Sequence, residues 1–169
     1  RALWVGGGVG NINLTTAGGD YGAATPLSVS FDGNDGLAAE TFAAGTLGNN
    51  MDCFIPMKRN TNGRIVSLYD NAANGECYMG TMSTANGTVD LGSGAPTYAV
   101  NGNVLAAATR PAIEAAMGTG RWSLLEIRNA NMSGWTGIGI GGYATFELNG
   151  SLGAVRVMPA QTDASRTSL

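Results

Sequence analysis

The chain has 169 residues, a net charge of −3, only 12% charged residues and 27 glycines, which suits one domain with a sizeable core and excludes low-complexity filler, since Leu, Ile, Val, Met and aromatics recur between the glycines. Lys58 is the only lysine and no basic stripe exists for nucleic acid. Histidine is absent, which removes any His-based triad or His-ligated zinc site, and no run of about 18 apolar residues predicts a membrane span.

In chain order, residues 1–19 read as a Gly-rich lead-in anchored by Trp4, with at most one weak strand at Asn11–Thr16. Residues 20–169 read as one domain. Leu27, Val29 and Phe31 alternate with Ser28, Ser30 and Asp32, the pattern of a half-buried strand started by Pro26. Asp32-Gly-Asn-Asp-Gly36 is one residue short of the calcium loop D-x-N-x-D-G and lacks its distant glutamate, so it reads as a plain turn; no cofactor is expected, and calcium has no full motif. Leu37–Ala43 and Met51–Met57 are the next predicted strands.

Asn62-Gly63, Asn74-Gly75 and Asn86-Gly87 then fall at twelve-residue intervals, and Asn101-Gly102 follows. Strands at this spacing, here Arg64–Asp70, Cys77–Ser83, Thr88–Leu91 and Thr97–Val100, predict an antiparallel sandwich or barrel, the spacing marking a meander and not a sequence repeat. One helix interrupts it over Thr109–Met117: Thr109 as N-cap, Pro111 in the first turn, Gly118 at the C-terminal stop, with Ile113 and Met117 facing the core. The first residue, Arg1, and the polar tail Gln161–Leu169 suggest part of, or a trimmed piece of, a longer polypeptide.

The closing block, Arg121–Val157, carries most of the pattern. Asn149-Gly150 predicts a two-residue hairpin, because such turns need φ > 0 at both positions. That pairing sets Leu148 opposite Ser151 and puts Phe146, Leu148, Val155 and Val157 on the core face, with Thr145, Glu147, Leu152, Ala154 and Arg156 on the mixed face. It also lays Phe146 over Gly153. One face core and one face half-exposed is the pattern of a β-sandwich.

Several landmarks resemble laminin-G-like domains of the concanavalin A-like lectin superfamily. They are Tyr21-Gly-Ala-Ala-Thr-Pro26, Tyr98-Ala-Val-Asn-Gly102, the Thr-Arg helix and Arg121-Trp-Ser-Leu-Leu-Glu126. The run from Asn129 through Met132-Ser-Gly-Trp135, Ile140-Gly-Gly-Tyr143, Leu148-Asn-Gly150 and Val155-Arg-Val157 is the clearest match. The variant is similar to modules of bacteriophage virion proteins, especially tail fibres and receptor-binding appendages, and Ala164-Ser-Arg166 resembles the lead into their last helix.

The resemblance covers residues 20–169 and implies an all-β fold: a two-sheet antiparallel β-sandwich, or jelly roll, with one short helix near 109–117. It implies a non-enzymatic protein at a virion surface, extracellular, binding a host-cell glycan or receptor. The alternative is a capsid-decoration or tail-assembly protein that uses the sandwich for protein contacts. Other virion proteins and further copies of the chain are expected partners; nucleic acid and membrane insertion are not.

Candidate site residues follow from side-chain chemistry. Related sandwiches that hydrolyse glycosides carry paired carboxylates on one strand. Glu126 and Glu147 stand alone, each a solvated strand residue or a partner for Arg128 or Arg156, so no catalytic residue is assigned. Trp135 sits among amides in Asn129-Ala-Asn131-Met-Ser-Gly-Trp, where an aromatic face and amide groups suit a sugar. Its other reading, a cap on the end of the core, carries more weight.

Lys58-Arg59-Asn60-Thr61-Asn62 is the only basic cluster, a solvated turn or the rim of an acidic-glycan site. Ligand contacts are therefore expected at Arg59, Asn60 and Asn62 together with Asn129, Asn131 and Trp135, on one loop end of the sandwich. Tyr69, Tyr78 and Tyr98 either line a concave face on neighbouring strands or pack inside, and Trp122 reads as core. The N-x-[ST] matches at Asn13, Asn86, Asn131 and Asn149 are discounted in so Asn-rich a chain. Cys53 and Cys77 fall in separate predicted strands; a disulfide and two buried thiols both fit, and two reduced, at least partly buried thiols is the reading adopted.

Overall fold

The computed structural model describes residues 13–16, 27–32, 37–61, 68–69, 77–78, 96–107, 109–143 and 146–166. Its strands are β1 (Asn13–Thr16), β2 (Leu27–Asp32), β3 (Leu37–Thr41), β4 (Met51–Arg59), β5 (Leu68–Tyr69), β6 (Cys77–Tyr78), β7 (Thr97–Val100) and β8 (Asn103–Val104). After helix α1 (Arg110–Met117) come β9 (Trp122–Ala130), β10 (Gly137–Ile140), β11 (Gly142–Tyr143), β12 (Phe146–Glu147), β13 (Asn149–Leu152), β14 (Arg156–Pro159) and helix α2 (Asp163–Arg166). The protein is all-β, with its strands paired antiparallel.

The larger sheet runs β1-β2-β13-β4-β9-β7-β8, with β14 also on β4; a smaller one runs β3-β10-β5-β6, and β11 pairs β12. Its central neighbours, β2 with β13, β13 with β4 and β4 with β9, are distant in sequence, and only β1–β2 and β7–β8 are consecutive, so the meander expected from the Asn-Gly spacing is not its order. Strand β4 shows why this sheet forms. Its residues Cys53, Ile55 and Met57 have no exposed surface and pair with Ile127, Leu125 and Ser123 of β9. Tyr98 and Val100 of β7 extend that face through Ile127 and Leu125, and Leu152 of β13 extends it through Met57. These residues form one apolar cluster with Ile113, Met117, Met132, Trp135, Leu148 and Ile138, the last contributed by β10 of the smaller sheet.

Pro56 stands inside this central strand although it has no N–H to give. Its carbonyl accepts the Gly153 N–H at 2.8 Å. Both backbone groups of a strand residue point to the same edge, so the missing donor falls in the gap between β13 and β14.

Helix α1 is where the sequence places it. The Thr109 hydroxyl accepts the Ala112 N–H, Pro111 lies in the first turn, and Gly118 ends the helix with φ 68°. Ile113 and Met117 are each 1% exposed against the core. Asn101 and Gly102, at φ 51° and 81°, make the two-residue turn between β7 and β8. Strands at Leu27–Asp32, Leu37–Thr41, Met51–Arg59 and Thr97–Val100 also match expectation.

The Asn149-Gly150 hairpin is a correction. Both residues lie inside β13, between β2 and β4, with Gly150 opposite Phe31 on one side and Arg59 on the other. Glycine is needed there for a different reason: a Cβ on Gly150 would run into the Lys58 carbonyl oxygen. Without the hairpin the expected faces shift, and Leu152 joins Leu148 in the core, each 1% exposed. Gly153 lies against the Pro56 ring, whose Cβ is 3.1 Å from where a Gly153 Cβ would stand, and the Phe146 side chain lies outside the described residues. The loop Asp32–Gly36 is not fully within the described residues, and Trp4 and the expected strand Thr88–Leu91 lie outside them.

Candidate functional site

At the far end of β4, the last turn of α1 presents carbonyl groups that the helix cannot satisfy itself. Arg59, 1% exposed, turns its guanidinium to them: Nη2 donates to the Glu114 and Gly118 carbonyls at 3.0 and 3.1 Å. Its Nη1 lies 3.7 Å from the Glu114 carboxylate. From the other side Arg121 donates to the Met117 and Ala116 carbonyls at 2.7 and 3.0 Å, and the Ser123 hydroxyl donates to Met117 at 3.0 Å. Two cations at a helix C-terminus complement its dipole. Burial lowers the Arg59 pKa, and Glu114 offsets part of that.

Arg59 therefore holds the end of α1 and is buried, not the solvated basic turn that the sequence suggests. Asn60 next to it is exposed, donating its N–H to the Asn149 carbonyl at 2.9 Å and its amide to the Asn149 side chain at 3.0 Å. Asn62 lies outside the described residues.

The opposite end of β4 is organised by Asp52, a residue the sequence reading passed over. Pairing between β4 and β9 slips between Met51 and Cys53, and at this bulge Asn129 takes φ 60°, a conformation asparagine tolerates. The Asp52 carboxylate, fully buried, accepts the Asn129 N–H at 3.0 Å and the Gln161 N–H at 2.9 Å. Arg166 completes it with Nε at 2.9 Å and Nη2 at 2.8 Å. Burial alone would lower the Arg166 pKa; the bonds and charges of Asp52 and Asp163 outweigh it and raise it. A lone aspartate inside the apolar run Met51–Met57 was the signal in the sequence.

Past the bulge, Asn129 is exposed and Asn131 is half-buried, its side-chain oxygen accepting the Ser133 N–H and hydroxyl. Trp135 has no exposed surface and belongs to the core cluster. The core-cap reading describes it; in this conformation no sugar reaches its ring.

These candidates do not share one surface. Met51 pairs with Ala130 and Lys58 with Trp122, so the Asn129–Trp135 stretch and the Arg59–Asn60 stretch lie at opposite ends of β4. Seven residue steps at about 3.3 Å separate them by roughly 23 Å. The tyrosines divide too: Tyr98, 1% exposed, is in the larger sheet, while Tyr69 and Tyr78 are on β5 and β6 of the smaller one.

Glu126 is 3% exposed and bonds Arg128 at 2.8 Å, as one of its two sequence readings has it. Its other oxygen accepts the Gly102 N–H at 2.9 Å, which ties the β7–β8 turn to β9. Cys53 is a free, buried thiol that donates to the Met132 sulfur at 3.8 Å. The Cys77 side chain lies outside the described part. Among the described residues no group of three or more His, Cys, Asp or Glu gathers in metal-binding geometry, and no helix is long and apolar enough to cross a membrane. Comparisons with protein-family profiles, curated proteins and solved structures found no match.

Proposed function

We infer that this chain is a non-enzymatic, glycan- or receptor-binding protein of a virion surface or appendage, built on a two-sheet jelly-roll sandwich of the laminin-G-like kind. The resemblance of residues 20–169 carries the virion setting and the homo-oligomeric assembly that goes with it. Ile138 of the smaller sheet, packed into the core cluster of the larger one, supports the sandwich.

One observation carries the binding reading. The strand carboxylates Asp52 and Glu126 are bound up in ion pairs, while the exposed polar groups at strand ends and turns include the uncharged amides of Asn60, Asn101, Asn103 and Asn129. Amides that donate and accept on a rigid sheet suit a hydroxyl-rich ligand. The second reading, a capsid-decoration or tail-assembly protein, is favoured by Val104, 56% exposed on the two-residue edge strand β8, an apolar group at a sheet edge open to another chain.

A glycan array probed with the isolated chain, including bacterial surface polysaccharides, tests the first reading, and specific binding is the expected result. No glycan bound, with electron microscopy of the particle showing the chain enclosed between neighbours, gives the second reading instead.

A further inference from the structure

Among the described residues the tryptophan that meets solvent is Trp122, not Trp135. Ser123 points its hydroxyl to α1 on the core side, so Trp122, one residue earlier in β9, lies on the opposite face of the sheet. The register continues that face across four strands. Trp122 pairs with Lys58 of β4, Lys58 with Ser151 of β13, and Ser151 with Ser30 of β2. At about 4.8 Å per strand the row is roughly 14 Å long. All four residues are half-exposed, and the Ser30 and Ser151 hydroxyls are 3.1 Å apart in a hydrogen bond.

Among the described side chains of this face the carboxylates are paired. Glu126 is neutralised by Arg128 and Asp52 by Arg166. Lys58 and Arg156, which is exposed and stands opposite Phe54 two positions along the same face, have no carboxylate partner among the described residues. Lys58 and Arg156 thus bring two cations to a face on which Asp32 holds the next position of β2 beyond Ser30, and two cations on one face suit an acidic occupant.

We propose that the row Trp122–Lys58–Ser151–Ser30 is a binding surface for an acidic polysaccharide. The indole face stacks on the apolar side of a sugar ring, the Lys58 ammonium meets a sugar carboxylate, and the paired serine hydroxyls exchange hydrogen bonds with ring hydroxyls. Arg156 extends the cationic side. This rests on the glycan-binding reading above and places its site on the sheet face, away from both loop ends.

The test titrates the full chain with oligogalacturonate and with its methyl-esterified, uncharged form, following calorimetry and tryptophan fluorescence. Wild type should prefer the acidic form. Trp122→Ala should weaken both forms by roughly 10- to 100-fold, the loss expected of a stacked aromatic anchor. Lys58→Gln should sharply reduce the acidic preference, Arg156 keeping part of it, with the melting temperature unchanged, which guards against Trp122→Ala acting through the fold. Acidic binding at wild-type strength in both variants overturns the surface and leaves the glycan-binding function standing. Array binding confined to neutral glycans does the same. Loss of self-association in Trp122→Ala with glycan binding intact assigns the face to a second copy and overturns it too.

Discussion

Two residues show how far single side chains were readable. Trp135 was legible as a core cap through the family resemblance, in which this Trp stands at a strand start and closes the end of the core, and it has no exposed surface. Trp135→Ala should cost about 3–5 kcal/mol in denaturant unfolding, the usual penalty for emptying a large buried site. A loss under 1 kcal/mol would show the ring is not core. Cys53 was legible as a buried thiol from its place in Met51–Met57, and burial pushes its pKa from 9.0 up to about 12, with Asp52 adding to the rise. The sign follows from the protons. Above pH 9 the unfolded chain loses the thiol proton and the folded chain keeps it, so stability falls as pH rises from about 9 to about 12. The slope is about 1.4 kcal/mol per pH unit. Cys53→Ala, compared with wild type over that range, should lose this component of the alkaline limb; identical limbs would place the thiol in a solvated setting. Arg59 and Asp52 were not legible. A guanidinium on a hairpin-like sequence tip and a carboxylate inside an apolar run reveal their partners only when distant elements arrive, at Glu114 and Arg166.

At the scale of the element, local signals were read well where the element is local. The helix carries its own cap and stop, and Asn101-Gly102 makes the turn its composition demands. The same dipeptide at Asn149-Gly150 misled, because glycine serves two needs that look alike in sequence: a positive φ, or room for a neighbouring backbone. The two sites make a matched experiment. Gly102→Ala meets nothing within 4 Å and only strains a φ of 81°, so it should cost about 1–2 kcal/mol. Gly150→Ala drives a methyl group into the Lys58 carbonyl, and β13 must move off β4; a loss of about 3 kcal/mol or more is expected, with faster amide exchange at Asn60 and Gly153, which bond across that seam. Equal, small losses at both positions would mean that Asn149-Gly150 is a turn after all.

Over the whole molecule, strand content and antiparallel pairing were legible, but strand order was not. The larger sheet joins residues more than a hundred positions apart, as Ser30 and Ser151 show, and no local pattern encodes which strand finds which. The C-terminal stretch makes the same point energetically. Helix α2 buries no residue, so apolar packing does not hold it. It is tied back by polar groups: Ala160 donates to the Asn50 carbonyl at 3.0 Å, Gln161 and Arg166 bond Asp52, and Arg128 stands 3.8 Å from Asp163. Asp52 is thus a three-way tie between the β9 bulge, the end of β14 and the last helix. Removing one partner of such a pair strands the other. Arg166→Ala leaves a buried carboxylate with only two backbone N–H groups and should cost about 2–4 kcal/mol, somewhat below the range for fully buried pairs because Arg166 keeps a little exposure. Asp52→Asn keeps the shape but loses the charge and should cost a similar amount. The double variant has no buried charge to compensate, so its loss should fall short of the sum of the two by about 1–3 kcal/mol. Urea unfolding of the four proteins measures that difference, and amide exchange at Gln161 reports whether the stretch has come away from the sheet. Additive losses, with Gln161 still protected in Arg166→Ala, would show that the strap is held by its backbone bonds and that the Asp52–Arg166 pair contributes nothing of its own.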